Sequence, residues 1–316
     1  MATLTTSGLG KGTPSSRAET TAEPKPALAD EGRPQDAATE KARRERRLAL
    51  ILPREHGAWG LLLVPMITAA GVALRDGGHI LSFVLLLTAA VALFWLRTPC
   101  ESLLGLSAMR AKTKDERREV GVVIVSLAAV AGLALGTLLR AGRNPALWLI
   151  GVAAGAAFVG QALLKRRGRS LRMLSEIVGT IGLTSSAPAA YYVMTARFGA
   201  TALMLWAANL IFAGNQIHYV QLRIHTARVE GLRAKFTHGW KFAIGQFAMA
   251  IALAAAAWRG FVPPIALVAF VPLLFRGWFY FFQRPAPLVV RSLGWSELCQ
   301  AVAFCVLFIG AFALAR

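Results

Sequence analysis

From residue 57 onward the chain consists almost entirely of apolar runs about as long as a bilayer is thick. They cover residues 57–74, 79–96, 119–139, 145–164, 173–194, 198–217, 241–258, 262–281 and 293–315, with short polar connections between them. A helix needs about 20 mainly apolar residues to cross the ~30 Å hydrocarbon layer. Inside that layer every backbone N–H and C=O must be bonded within the structure itself, so separate runs of this length read as helices. The composition, 56% hydrophobic and 16% charged, also holds more apolar surface than one soluble core hides. The sequence therefore predicts an all-α fold, a polytopic membrane bundle of about nine transmembrane helices. The fifth run is the most polar, with Ser175, Glu176, Thr180, Thr184, Ser185, Ser186 and Pro188. Such a run is expected to face other helices instead of lipid.

Residues 1–40 are rich in Ala, Thr, Ser, Pro, Glu and Lys and have no apolar period, so little burial is available to offset the entropy of folding. Together with KARRERR at 41–47 they are expected to form a disordered basic cytoplasmic tail, 1–47, ahead of a transmembrane domain, 48–316. The first apolar run lies too far along, and lacks a small-residue cleavage site, to be a secretory signal.

The net charge of +19 would suggest nucleic acid in a soluble protein. Here Lys and Arg fall between apolar runs, with no surface of interleaved aromatic and basic residues, so nucleic-acid binding is excluded. The distribution fits membrane topology instead, because cytoplasmic connections keep an excess of Lys and Arg. With nine crossings, 25 basic residues, those of residues 41–47 included, fall on one side, six on the other and four in residues 1–40. One missing helix would invert every later connection and erase that asymmetry. The N-terminus is expected inside and the C-terminus outside, with two long internal connections at about 97–118 and 218–240. Cys100, Cys299 and Cys305 show no paired spacing, so neither a disulfide framework nor a thiolate metal site is expected, and no cofactor is implied.

Ionisable groups near membrane segments are the candidates for function. Arg54, Glu55 and His56 form a dense cluster at the mouth of the first run. They suit either an interfacial anchor or proton transfer by His56, oriented by Glu55. Arg97 and Glu101 are four apart and suit either a helical ion pair or ligand orientation. Asn215 closes the sixth run, and His218, Arg223, His225 and Arg228 follow it. Two histidines seven apart are too far along a helix to ligate one metal unaided. A phosphate site built from His218, Arg223, His225 and Arg228 fits the chemistry, and so does attraction to anionic headgroups. Glu176 and Glu297 are carboxylates near the hydrocarbon, and Arg276 sits inside an apolar run with Glu297 as its expected partner.

The stretch PREHGAWGLLLVP, Pro53–Pro65, resembles the opening of the YwiC-like family of bacterial membrane proteins. That resemblance implies a multi-pass protein of the bacterial cytoplasmic (inner) membrane and brings no assigned reaction. In outline the chain is also similar to UbiA-type prenyltransferases, which have nine helices and functional cytoplasmic loops after helices two and six. In those enzymes Asp-rich motifs hold magnesium against a leaving diphosphate. Here Asn215 and His218 fall where the second motif would lie, Leu222 takes a further acidic position, and Glu101 stands alone near the first. The expectation is therefore a membrane protein that binds a membrane lipid, an isoprenoid or a phosphorylated lipid at its cytoplasmic face. The alternatives are a divergent prenyltransferase, with His56, Glu101 and His218 catalytic, and a small-solute transporter or assembly factor. The transferase requires Glu101, His218 and Arg223 to converge.

Overall fold

The computed structural model describes residues 32–53, 56–105, 109–142, 145–167 and 171–315. Among them all regular structure is helical: α1 (Gly32–Ile51), α2 (His56–Arg75), α3 (Ile80–Leu103), α4 (Lys114–Arg140), α5 (Pro145–Arg166), α6 (Arg172–Thr184), α7 (Ser186–Thr195), α8 (Ala200–Thr226), α9 (Leu232–Trp258), a 3-10 helix (Pro264–Phe270), α10 (Val271–Phe282) and α11 (Val290–Leu314). Among the described residues eight segments are long and apolar enough to cross a membrane: α2, α3, α4, α5, α8, α9, the 3-10 helix with α10, and α11. The chain is an integral membrane protein of the polytopic all-α class. Residues 47–316 form one compact unit, and those before it belong to another.

The fifth apolar run is divided. Pro188 has no N–H to offer the carbonyl of Thr184, so α6 ends there and α7 starts two residues later. The Ser185 hydroxyl donates to the Gly182 carbonyl at 2.6 Å, and the Thr184 hydroxyl oxygen accepts from Trp206 Nε1 at 3.1 Å, which occupies the polar groups around the break. Every residue of α7 from Ala187 to Met194 is buried. It forms the centre of the core with α2, α8 and α11, where Met66, Ala69, Ala190, Leu205, Phe304 and Phe308 meet. Polar residues in this run thus stand where neighbouring helices, not lipid, surround them.

Two expectations about boundaries are corrected. The stretch 218–240 is not a long connection: α8 continues to Thr226 and α9 begins at Leu232. Polar residues hid a helical stripe, since Tyr219, Leu222 and Thr226 are buried at helical spacing. Gly231, at φ +83°, makes the sharp turn into α9 that other residues rarely adopt. Pro99 likewise does not stop α3, which runs on to Leu103. The 104–113 connection ends in a capping box, where Glu116 N–H donates to the Thr113 hydroxyl at 3.1 Å and Thr113 N–H to the Glu116 carboxylate at 3.2 Å. α1 covers residues whose composition suggested a tail; their Ala, Glu, Gln, Lys and Arg are good helix formers even without an apolar stripe.

Candidate functional site

Helices α2 to α7 line a partly open, apolar cavity of about 680 Å³. Its walls are Leu62 and Met66 of α2, Leu86, Leu93 and Phe94 of α3, Leu135 and Leu139 of α4, Phe158 of α5, Gly179 and Gly182 of α6, and Ala189 of α7. Small residues make the space: a Cβ placed on Gly151 or Gly155 of α5 would meet nothing within 4 Å. Its polar lining residues are Arg97 and Cys100 of α3, Gln161 of α5, and Ser185 and Ser186 at the break between α6 and α7. Arg97 Nε donates to Glu101 at 2.8 Å, and the guanidinium stands 5.5 Å from the centre of the Phe158 ring. This pair combines a donor and an acceptor with charges that offset each other. Such a cavity selects for an apolar chain more than for a charge.

A second polar group lies among α8, α9, α10 and α11. Arg276 bonds both oxygens of Glu297, at 2.6 and 3.4 Å, with its guanidinium carbon 3.9 Å from the Tyr219 ring centre. The expected pairing is present. Gln216 Nε2 donates to the Glu297 carbonyl at 3.1 Å and holds α8 to α11. The Tyr280 hydroxyl lies 2.9 Å from that of Thr226, and both Arg223 and Lys235 stand over the Tyr280 ring.

The sequence candidates are thus distributed over separate neighbourhoods. Arg54 and Glu55 lie outside the described residues, and His56 begins α2, its side chain also outside them. Arg97 and Glu101 come together at the cavity mouth. Asn215 Nδ2 approaches Met249 Sδ at 3.6 Å, and the His218 ring meets Phe242 edge to face, 5.3 Å between centres. Arg223 donates to the Tyr219 hydroxyl at 3.4 Å. His225, exposed, contacts the Gln221 carbonyl through Nδ1 at 2.7 Å, and Arg228 is exposed. Glu101 is met by Arg97, whereas His218 and Arg223 face α9 and α10. Glu176 accepts from Gln221 Nε2 at 2.9 Å, an α6 to α8 link. Among the described residues no three His, Cys, Asp or Glu side chains cluster as metal ligands.

Residues 52–191 match the family model of YwiC-like proteins. This part of the chain is similar to YwiC-like proteins. Neither the curated proteins nor the solved structures contain a match to the chain. Every residue that lines the cavity, from Leu62 to Ala189, falls inside the YwiC-like segment. The Arg276–Glu297 pair and the cations over Tyr280 fall outside it.

Sequence reasoning missed Lys235, which it counted as a loop charge, and the tyrosines that surround it. A signal was present: Lys235, Gly239, Phe242 and Gln246 recur at helical spacing and share the buried face of α9.

Proposed function

We propose that this integral membrane protein holds the apolar chain of a lipid or isoprenoid between α2 and α7, with the polar end of that ligand at the cytoplasmic face of a bacterial inner membrane. The observation that carries the reading is the cavity of about 680 Å³, mostly apolar in its lining, with Arg97 its one charged residue. Its size falls within the ~300–1,000 Å³ typical of small-molecule sites. Arg97 and Glu101 offer a headgroup one donor and one acceptor without a net charge.

The test is native mass spectrometry in a mild detergent, with extraction and identification of whatever lipid co-purifies. A Cβ at Gly155 meets nothing within 4 Å, so Gly155→Leu is directed into the open space beside α5, and it raises helix propensity. The expected outcome is a retained lipid or isoprenoid in the parent protein and about tenfold weaker retention in Gly155→Leu, equivalent to ~1.4 kcal/mol. Equal retention by both proteins would remove the cavity from the reading.

One observation favours transport as a second reading. Two segments are interrupted, one between α6 and α7 and one where the 3-10 helix gives way to α10, and broken helices commonly frame transporter sites. Solute-dependent flux into liposomes carrying the purified protein would replace lipid holding with transport.

A further inference from the structure

In the C-terminal half of the bundle, positive charge exceeds negative where the side chains are least exposed. Lys235, in the first turn of α9, is only 2% exposed. Its ammonium lies 5.0 Å from the centre of the Tyr280 ring and donates to the Gln283 carbonyl. Arg223, in the last turns of α8, lies 5.0 Å from the same ring centre. The two cations are therefore no more than about 10 Å apart. Arg276 is nearby in the same cluster, but Glu297 already opposes its charge. Among the described residues no carboxylate lies within ion-pair reach of Arg223 or Lys235.

A single neutral ring attracts each cation through its π face and leaves their mutual repulsion in place. The positive end of the α9 macrodipole adds to that repulsion at Lys235. Arg223 Nε is buried and has no hydrogen-bond partner, in an environment where buried polar groups are normally bonded. Around the ring stand further hydroxyls, those of Tyr219, Thr226 and Tyr280. The set comprises two positive charges without an ion-pair partner among the described residues, a guanidinium fork, an ammonium with protons to spare and neutral hydroxyls; the charge of Glu297, shared with Arg276, reaches Arg223 only at longer range. A carboxylate would use one charge and two acceptor sites. A phosphate group, with up to two charges and three or more oxygens, matches the whole set.

We propose that Arg223 and Lys235, both over the Tyr280 ring, bind a phosphate group carried by a lipid headgroup or supplied as free phosphate or diphosphate. The site is separate from the apolar cavity and stands whether or not that cavity holds a lipid. It lies at the helix ends shared by α8, α9, α10 and α11, the depth at which a headgroup or a soluble anion meets the bundle.

The full-length protein is reconstituted in nanodiscs of phosphatidylcholine alone and of phosphatidylcholine with a small fraction of phosphatidic acid. Titration calorimetry with inorganic phosphate and diphosphate on the first measures free anions, and native mass spectrometry on the second measures retained phosphatidic acid. The expected result is saturable binding in one arm. That binding falls about tenfold or more in Arg223→Gln and in Lys235→Met, and persists in Lys235→Arg, in the exposed control Arg259→Gln and in Gly155→Leu. Retention of phosphatidic acid alone identifies a lipid headgroup, and a calorimetric response to phosphate or diphosphate identifies a free anion. Lys235→Met removes a charge without burying a new polar atom, and Lys235→Arg keeps the charge, so a general folding defect is told apart from loss of the site. The proposal is overturned if neither arm shows binding by the parent protein, or if Arg223→Gln and folded Lys235→Met bind as the parent does.

Discussion

At the scale of single residues, the Arg276–Glu297 pair shows how the bundle manages charge in a place that water reaches poorly. Their side chains are 10% and 17% exposed, and the guanidinium is held twice, by the carboxylate and by the face of Tyr219. Removing one partner of such a pair strands the other, and that loss exceeds what the intact pair contributes. Arg276→Met is therefore expected to lower the unfolding free energy by about 3 kcal/mol, toward the lower end of the range for buried pairs. Arg276→Met combined with Glu297→Gln is expected to recover most of it. Denaturant or thermal unfolding in detergent checks both, and a double variant as unstable as the single one would show that the pair is not the unit. This pair was legible in sequence because an arginine in an apolar run needs an acid, and Glu297 stood on the next helix. Lys235 was not, because a lysine between two runs looks like any solvated loop charge until the turn around it is known to be helical.

At the scale of elements, the apolar runs gave the helices and their order, since a run of bilayer length has few other ways to satisfy its backbone. They could not locate the break before Ser186, which depends on what Pro188 removes, nor the extension of α8, whose last turns bury one face and show polar residues on the other. The cavity was also out of reach, because it arises from glycines on one helix facing long side chains on others. The same shape complementarity ties the YwiC-like segment to the helices beyond it. Gly71 of α2 packs on α11 so closely that an added Cβ would lie 2.6–2.8 Å from three side-chain atoms of Ile309. Two of those atoms are bonded directly to the Ile309 Cβ and have little room to swing away. Gly71→Ala is expected to destabilise by about 1–3 kcal/mol, the usual range for overpacking, in spite of its better helix propensity. Adding Ile309→Ala should relieve the clash. Thermal unfolding of the two proteins provides the comparison; a Gly71→Ala protein as stable as the parent would mean that α2 and α11 separate easily.

At the scale of the whole bundle, hydrogen bonds between distant residues sort the helix ends into two sets without reference to charge. Trp95 to Ile51, Gln216 to Glu297, Gln221 to Glu176 and Lys235 to Gln283 join the C-terminal ends of α1, α3, α8 and α10 to the N-terminal ends of α6, α9 and α11. Arg75 to Ala315, Tyr191 to Asp76 and His79 to Met194 join the C-terminal ends of α2, α7 and α11 to the start of α3. The first set carries Arg97, Arg223, Lys235, Arg284 and Arg291; the second carries Arg75 and Arg197. Translocating a Lys or Arg through the bilayer costs about 2.5–3.5 kcal/mol at mid-depth, so the richer set is expected to remain on the side of synthesis. Single cysteines placed at Lys112, Glu230, Arg197 and Arg259 in a background without Cys100, Cys299 and Cys305 test this directly. An impermeant maleimide applied to intact spheroplasts is expected to label Arg197→Cys and Arg259→Cys, and to reach Lys112→Cys and Glu230→Cys only in inverted vesicles. Labelling of Lys112→Cys and Glu230→Cys from opposite sides would separate the Arg97 mouth from the Arg223 cluster, and one membrane face could not then serve both.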